Sequence, residues 1–184
     1  RPVERFMKRY YIAAKNIGSL TRIFFSVIED NFKKSIRFNF FFRKSINLEK
    51  PFIFKRKKIA IEEKSFILNK PEILIEIFHI SHFKNLEIHP ETLRLLSDCS
   101  KLIRKKQVIS KRSNKLFLEI VSGEINPRPI LRLMNDTNVL GNFVPDFKKI
   151  IGLIQHDMYH HYTVDEHTFF AISNAHELKN ECLN

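Results

Sequence analysis

A long amphipathic repeat opens the chain. Between residues 4 and about 32, apolar side chains recur at steps of three and four, at Phe6, Tyr10, Ala13, Ala14, Ile17, Leu20, Phe24, Val27 and Ile28. Such steps place side chains on one face of an α-helix. The pattern therefore predicts one long helix with a buried face.

The pattern changes near residue 52 and predicts a short β-hairpin at about residues 52–61. Residues 52–54 and 59–61 are apolar and flank a charged turn, and Pro51 favours an extended start. Two strands this short need helices to pack against. The basic, phenylalanine-rich residues 33–50 between the two patterns give no assignable element.

From Asn69 onward the pattern is helical. Prolines suited to the first turn of a helix mark four starts, at Pro71, Pro90, Pro129 and Pro145. Gly123 ends the helix that contains residues 116–121, and the polar turn at residues 135–138 ends the next. The last of these helices is predicted from Asp146 to about His156. The fold class is therefore mainly α, a multi-helix bundle with a small hairpin.

The 184 residues could form one ordinary domain or two small ones. No apolar run approaches the length of about 18 residues that a membrane span needs, so we expect no membrane association. The chain begins at Arg1 and shows no signal-peptide pattern, which indicates a fragment of a longer, multidomain enzyme. Cys99 and Cys182 lie far apart and suit a reducing cytoplasm.

The formal net charge of +12 raises the question of nucleic-acid binding. The lysines are scattered, and the densest basic run, residues 55–58, is only four residues long. Such a run is more typical of a solvated turn than of a binding patch. We therefore do not expect a nucleic-acid partner, and a basic helical RNA-binding module is kept as the alternative function.

The stretch QHDMYHHYTVDEHT, residues 155–168, concentrates polar side chains and suggests a metal site. His156 and His160 have helical spacing, but the chain must turn near Tyr162 before the next helix. Thr163 and Glu166 match a capping box, and acidic residues there also complement the helix dipole. A complete metal site within this stretch is therefore not predicted, and His161 has no assigned role.

The dipeptide His156-Asp157 is also found in HD phosphohydrolases, which hold a metal with a lone His, then a His-Asp pair, then a distant Asp. The order here is wrong for a site that begins at residue 167, because no His-Asp follows that residue and the only later histidine is His176. If an HD site exists, its first ligand is His167, and the remaining ligands lie beyond Asn184.

A second apparent motif lies inside the first helix. Gly18-Ser19 followed by Glu29-Asp30 imitates the Gly-Ser and paired acids of a nucleotidyltransferase. That chemistry needs the acids on a strand beside the Gly-Ser, so that two metal ions can be held. Both pairs fall within a helical repeat here, so the match is interpreted as accidental.

Several longer strings resemble one family. VLGNFVPDF at residues 139–147, followed by YTVDEHT at residues 162–168, is similar to the bifunctional bacterial uridylyltransferase/uridylyl-removing enzymes that modify the PII nitrogen-signalling protein. ERFM at residues 4–7 and IHP at residues 88–90 resemble the same family. The resemblance is weakest between residues 33 and 65.

The resemblance implies that residues 1–157 are a helical linking domain after the nucleotidyltransferase core. Residues 158–184 are then the first helix of a truncated HD hydrolase domain. The parent enzyme would use Mg²⁺ to transfer UMP from UTP to a PII tyrosine and would also hydrolyse it off. UTP and glutamine would bind domains outside this segment. The resemblance implies no catalytic or cofactor-binding residue here and one metal ligand, His167.

Overall fold

We describe a computed structural model of the chain over residues 2–32, 48–55, 57–105, 110–154 and 162–182. The helices are α1 (Pro2–Phe32), α2 (Lys64–Asn69), α3 (Ile73–Lys84), α4 (Pro90–Cys99), α5 (Leu102–Lys105), α6 (Lys111–Ser122), α7 (Arg128–Asp136), α8 (Val139–Phe143), α9 (Pro145–Ile150) and α10 (Val164–Cys182). The strands are β1 (Phe52–Lys55) and β2 (Lys58–Ile61). The predicted fold class, mainly α with a small hairpin, is confirmed.

The hairpin is antiparallel, with Phe52 opposite Ile61 and Lys55 opposite Lys58. It is joined to the segment after α3 through Ile59. The Ile59 N–H donates to the carbonyl of Glu87 at 2.8 Å, and the His89 N–H donates to the carbonyl of Ile59 at 2.8 Å. These bonds supply backbone partners that a two-stranded ribbon lacks, so the hairpin is part of the helical body.

The core is centred on α3, which packs against α2, α6 and α7. Its buried apolar side chains are Ile73, Leu74, Ile75, Ile77 and Phe78. Apolar residues on all sides are typical of a helix that is enclosed by others. The hairpin contributes Ile59 and Ile61, and α10 contributes Phe169, to the same apolar cluster.

Local signals set several helix ends. α4 begins at Pro90, as predicted, and the His89 side chain accepts a bond from the Glu91 N–H at the new helix end. α6 begins after Ser110, whose hydroxyl accepts from the Ser113 N–H at 3.1 Å, and it ends at Gly123 as predicted. These caps satisfy backbone groups that have no partner within the helix.

The helix predicted from Asp146 to about His156 is shorter than expected. α9 ends at Ile150, and Gly152 follows with a φ of 66°. A residue in the left-handed region ends a right-handed helix, so the repeat cannot continue. The start predicted at Pro71 is also displaced, because α3 begins at Ile73.

The extent of α1 is predicted correctly, but its burial is not. The apolar side chains of Phe6, Ile17, Leu20 and Phe24 are exposed by 67%, 65%, 67% and 63%. Helical spacing determines which side chains share a face, and it does not determine what covers that face. Gly18 and Ser19 lie in the middle of α1, as the accidental-motif interpretation requires.

Over the described ranges, the helices lack the combination of length and apolar character needed to cross a lipid bilayer.

We expect Gly152→Ala to lower the free energy of unfolding by about 1–2 kcal/mol, because a left-handed conformation is costly for a residue with a Cβ. That Cβ would also lie 3.1 Å from Ile12 Cγ1 and 3.4 Å from the Lys8 carbonyl oxygen. Urea denaturation of both proteins measures the change.

Gly18→Ala is the matched control with the opposite sign. Gly18 is inside α1, and an added Cβ there meets nothing within 4 Å. Alanine should therefore stabilise the chain by about 0.5–1 kcal/mol through its higher helix propensity. Equal effects of the two substitutions would contradict the backbone geometry given for Gly152.

Candidate functional site

Charged and polar groups from three helices and one turn meet between the first and last helices of the described chain. We call this set the polar junction. It consists of Lys15, Arg22, Arg132, Asn135, Asp136, Gly152, Asp165 and Glu166, which line a small cavity of about 240 Å³. The helices α1, α7 and α10 and the turn after α9 supply these residues.

Asp165 is the centre of the junction. Its side chain is buried, with the residue only 4% exposed. Oδ1 accepts from the Gly152 N–H at 3.1 Å, and Oδ2 accepts from Asn135 Nδ2 at 3.1 Å. The oxygen of the same amide, Asn135 Oδ1, accepts from Lys15 Nζ at 2.7 Å. One chain of hydrogen bonds therefore connects α1, α7 and α10.

Two ion pairs flank this chain. Arg22 Nη2 lies 2.5 Å from Asp136 Oδ2, and Arg132 Nε lies 3.3 Å from Glu166 Oε1. The arginine side chains are about half exposed, whereas the acids are mostly covered. Three cations, Lys15, Arg22 and Arg132, thus balance three carboxylates. Balance of this kind offsets the cost of removing charges from water.

Burial disturbs the ionisation of two members. Burial lowers the pKa of Lys15, and the carboxylates of Asp136, Asp165 and Glu166 oppose that change. Burial raises the pKa of Asp136, and the charges of Arg22, Lys15 and Arg132 oppose it. In both groups burial disfavours the charged form, and the neighbouring charges of opposite sign favour it.

Only one end of this site was predicted from the sequence. Asp165 and Glu166 were assigned to the start of a helix, and the structure gives both carboxylates additional partners on α7. Lys15, Arg22 and Asn135 were not predicted. A usable signal was present, because Lys8, Lys15 and Arg22 are spaced by seven residues and so share one face of α1.

His167, the predicted metal ligand, lies in the first turn of α10 and is exposed. Its ring meets the Tyr162 ring edge-on, with 5.8 Å between centroids and an interplanar angle of 89°. Its backbone N–H donates to the Thr163 carbonyl at 3.0 Å. His156, Asp157, His160 and His161 lie outside the described residues.

Within the described ranges, no group of three or more His, Cys, Asp or Glu side chains is placed so that it could hold a metal ion. Within the polar junction, each acid already has a cation or an amide as partner. The junction therefore suits a structural role, and His167 as a metal ligand stays a prediction.

The basic run at residues 55–58 is partly neutralised. Lys55 pairs with Glu91, and Lys58 Nζ lies 3.2 Å from Glu87 Oε2. Lys57 has a φ of 66° and forms the hairpin turn. These pairs agree with the solvated-turn interpretation and give the RNA-binding alternative no support.

A larger cavity of about 910 Å³ lies between α1, the end of α3, α4 and α7. Two hydroxyls of its lining donate to nearby backbone carbonyls. The Ser81 hydroxyl donates to the Leu86 carbonyl at 2.6 Å, and the Thr137 hydroxyl donates to the Leu133 carbonyl at 3.0 Å. These hydroxyls stabilise helix ends, and the surface of the cavity is mainly apolar.

Replacing Asp165 by alanine should lower the free energy of unfolding by about 2–4 kcal/mol, because two donors would be left buried without an acceptor. Those donors are the Gly152 N–H and Asn135 Nδ2. Urea denaturation with a check of the m-value measures the loss. Asp146→Ala is the matched control. It removes an exposed carboxylate that pairs only with the exposed Lys149, and we expect no measurable change.

Asp136→Asn should change the pH dependence of stability. Because the pKa of Asp136 is raised in the folded state, its contribution is present below the ordinary value of 3.8 and is lost as the pH rises through the raised value. The wild type should therefore lose stability relative to Asp136→Asn as the pH rises through that window. Unfolding curves of both proteins across the acid range provide the comparison.

Asp146→Asn serves as the control for this pH series. The Lys149 ammonium holds the pKa of Asp146 below its ordinary value, so its contribution is present above that value and is lost as the pH falls. Because Asp146 and Lys149 are both exposed, this contribution is too small to measure, and Asp146→Asn should follow the wild type across the pH series. Parallel trends would contradict the burial of Asp136.

Sequence comparisons agree with the family resemblance. A family described as uridylyltransferase GlnD third domain matches residues 52–143, which are half of the chain. The bifunctional uridylyltransferase/uridylyl-removing enzyme of Azospirillum brasilense is 36% identical over 180 residues, 96% of this chain. The enzyme of the same name from Novosphingobium aromaticivorans is 38% identical over 172 residues, 92% of this chain.

The chain spans about a fifth of the length of these curated relatives, 19% in both cases. No solved structure matches the chain. The family match over half of the residues and the two relatives that match over most of the chain confirm the family resemblance. This chain therefore belongs to the GlnD uridylyltransferase family.

Proposed function

We propose that this chain is the linking segment of a cytoplasmic bifunctional PII uridylyltransferase/uridylyl-removing enzyme. The whole enzyme would transfer UMP from UTP to PII and hydrolyse it off, with Mg²⁺ at the transferase site and glutamine sensed by other domains. Family membership supports this function, and two relatives carry the name of that enzyme.

The observation that carries the proposal is the hydrogen-bond chain from Lys15 through Asn135 to Asp165. The family resemblance assigns residues 1–157 to the linking domain and residues 158–184 to the first helix of the hydrolase domain. The polar junction crosses that proposed boundary. A buried joint of this kind holds two parts in a fixed orientation, unlike a solvated linker.

The joint would also determine the direction of His167. Consecutive helical residues are rotated by about 100°, so side chains two positions apart point in nearly opposite directions. Asp165 is buried against α7 and His167 is exposed on the other side of α10. Fixing Asp165 inward therefore aims His167 outward.

His167 would supply one imidazole to the divalent metal of the hydrolase site, and residues outside this segment would supply the other ligands. Imidazole nitrogen is a common ligand of divalent metals in hydrolytic sites. A metal in such a site activates a water molecule for attack on the phosphodiester. In this scheme the segment alone has no complete active site.

A chimaeric enzyme tests the proposal. The 180 matched residues of the Azospirillum brasilense enzyme are replaced by this chain, and UMP transfer to PII and UMP removal are both measured. We expect both activities. Asp165→Ala should reduce removal by about 10- to 100-fold, because small displacements of a catalytic group are costly. Transfer should be less affected.

Asp146→Ala in the same chimaera is the matched control and should leave both rates unchanged. Assays are run below the melting temperature of each variant, so that loss of folding is excluded. A folded chimaera with neither activity would contradict the proposal. So would turnover by the 184-residue chain alone with UTP, Mg²⁺ and PII, since both sites are proposed to be incomplete in it.

A further inference from the structure

The apolar face of α1 follows a strict seven-residue repeat. Its members alternate in steps of three and four residues through Val3, Phe6, Tyr10, Ala13, Ile17, Leu20, Phe24 and Val27. We call this line the seam. Positions that alternate in this way are the a and d positions of a heptad repeat, with Val3 at a and Phe6 at d.

All eight residues of the seam are exposed or half-exposed. Besides the four values given above, Val3 is 54% exposed, Tyr10 57% and Val27 39%. Leu20 also lines the cavity between α1 and α4, but it stays 67% exposed there. An exposed apolar surface that runs the length of a helix is unusual in a free protein and marks an interaction site.

The opposite face of α1 holds the helix on the body. Lys8, Lys15 and Arg22 occupy the f positions, which lie across the helix from the seam. Lys8 Nζ donates to the Lys149 carbonyl at 2.8 Å, and the other two make the junction contacts described above. The polar face thus points inward and the apolar face outward, the reverse of an ordinary surface helix.

The period of the repeat indicates what kind of surface the seam fits. A repeat of 3.5 residues per turn keeps apolar side chains aligned with a second helix that crosses at a shallow angle. The seam extends over four heptads, which is the length typical of a helix–helix interface. A flat sheet or a small molecule would not require this period.

The charge beside the seam favours a different helix over a second copy of this chain as the partner of the seam. Arg9 lies at position g, beside the seam, and is exposed. In a parallel pair of α1 helices, Arg9 would face the e position of the other copy, which is Ala14. In an antiparallel pair, the g positions, which include Arg9 and Asn16, would face the g positions of the other copy. Neither arrangement provides an acidic partner for Arg9.

We propose that the seam of α1 docks an amphipathic helix whose apolar stripe is bordered by acidic side chains. Acidic residues at its edge would pair with Arg9 and with Arg5, which is exposed on the same side of α1. This inference rests on α1 alone and does not depend on the proposed enzymatic function.

A synthetic helical peptide tests the inference. The probe has about four heptads with Ile at a, Leu at d and Glu at e and g, and carries a fluorescein label. Its matched control has Lys at e and g. Fluorescence anisotropy with the 184-residue chain should show saturable one-to-one binding of the Glu peptide, at least about tenfold tighter than that of the Lys peptide.

Variants locate the binding surface. Ile17→Asp, in the middle of the seam, should abolish binding of the Glu peptide. Leu118→Asp is the matched control, because Leu118 is 61% exposed inside α6, away from the seam, and Ile17 is 65% exposed inside α1. Circular dichroism of both variants establishes that they remain folded.

Three results would overturn the inference. Equal binding of the Glu and Lys peptides would exclude the acidic border, and absence of binding to either would exclude a helix-docking seam. Sedimentation that shows the chain to be a dimer, dissociated by Ile17→Asp and unaffected by Leu118→Asp, would identify a second copy as the occupant.

Discussion

The buried carboxylate of Asp165 is the constraint on which the arrangement of the last third of the chain depends. A carboxylate removed from water is stable only if donors replace its hydration. Gly152 and Asn135 provide those donors, and Lys15 completes the chain through the amide. Because Gly152 and Asn135 are also buried, neither can move without leaving a buried group unsatisfied.

Two glycines allow the backbone to approach closely enough for this arrangement. A Cβ at Gly152 would lie 3.1 Å from Ile12 Cγ1, and one at Gly141 would lie 2.8 Å from Ile151 Cδ1. α8, the turn after α9 and α1 are therefore in contact where larger residues would separate them. Because Gly152 has no side chain, its backbone can lie against Ile12 while its N–H donates to Asp165.

The parts that were predictable from the sequence carry local signals. Pro90 and Gly123 mark a helix start and a helix end, and the hairpin follows from apolar pairs around a charged turn. The polar junction has no local signal of that strength. Lys15 and Asn135 are 120 residues apart, and Asn135 and Asp165 are 30 apart. Such pairs form only when tertiary packing brings their helices together.

The wrong prediction about α1 and the incomplete account of α10 have the same physical origin. The apolar repeat of α1 predicted a buried face, and the acids at the start of α10 were fully explained by local helix effects. In both cases the sequence identified the right residues but did not show what surrounds them: Asp165 bonds to α7 across the body, and the seam is exposed over the described residues. Periodicity and capping describe one helix, and burial is a property of at least two.

α1 and α10 share one arrangement, which would suit the linking role proposed above. Each presents charged or hydrogen-bonding groups inward, Lys15 on α1 and Asp165 on α10, and each presents a different feature outward, the seam on one and His167 on the other. The inward contacts fix the rotation of each helix about its own axis. Since rotation determines where the outward features point, the polar junction sets their relative directions. A neutral, fully bonded joint performs this task better than an apolar one, because hydrogen-bond geometry tolerates less rotation than apolar packing does.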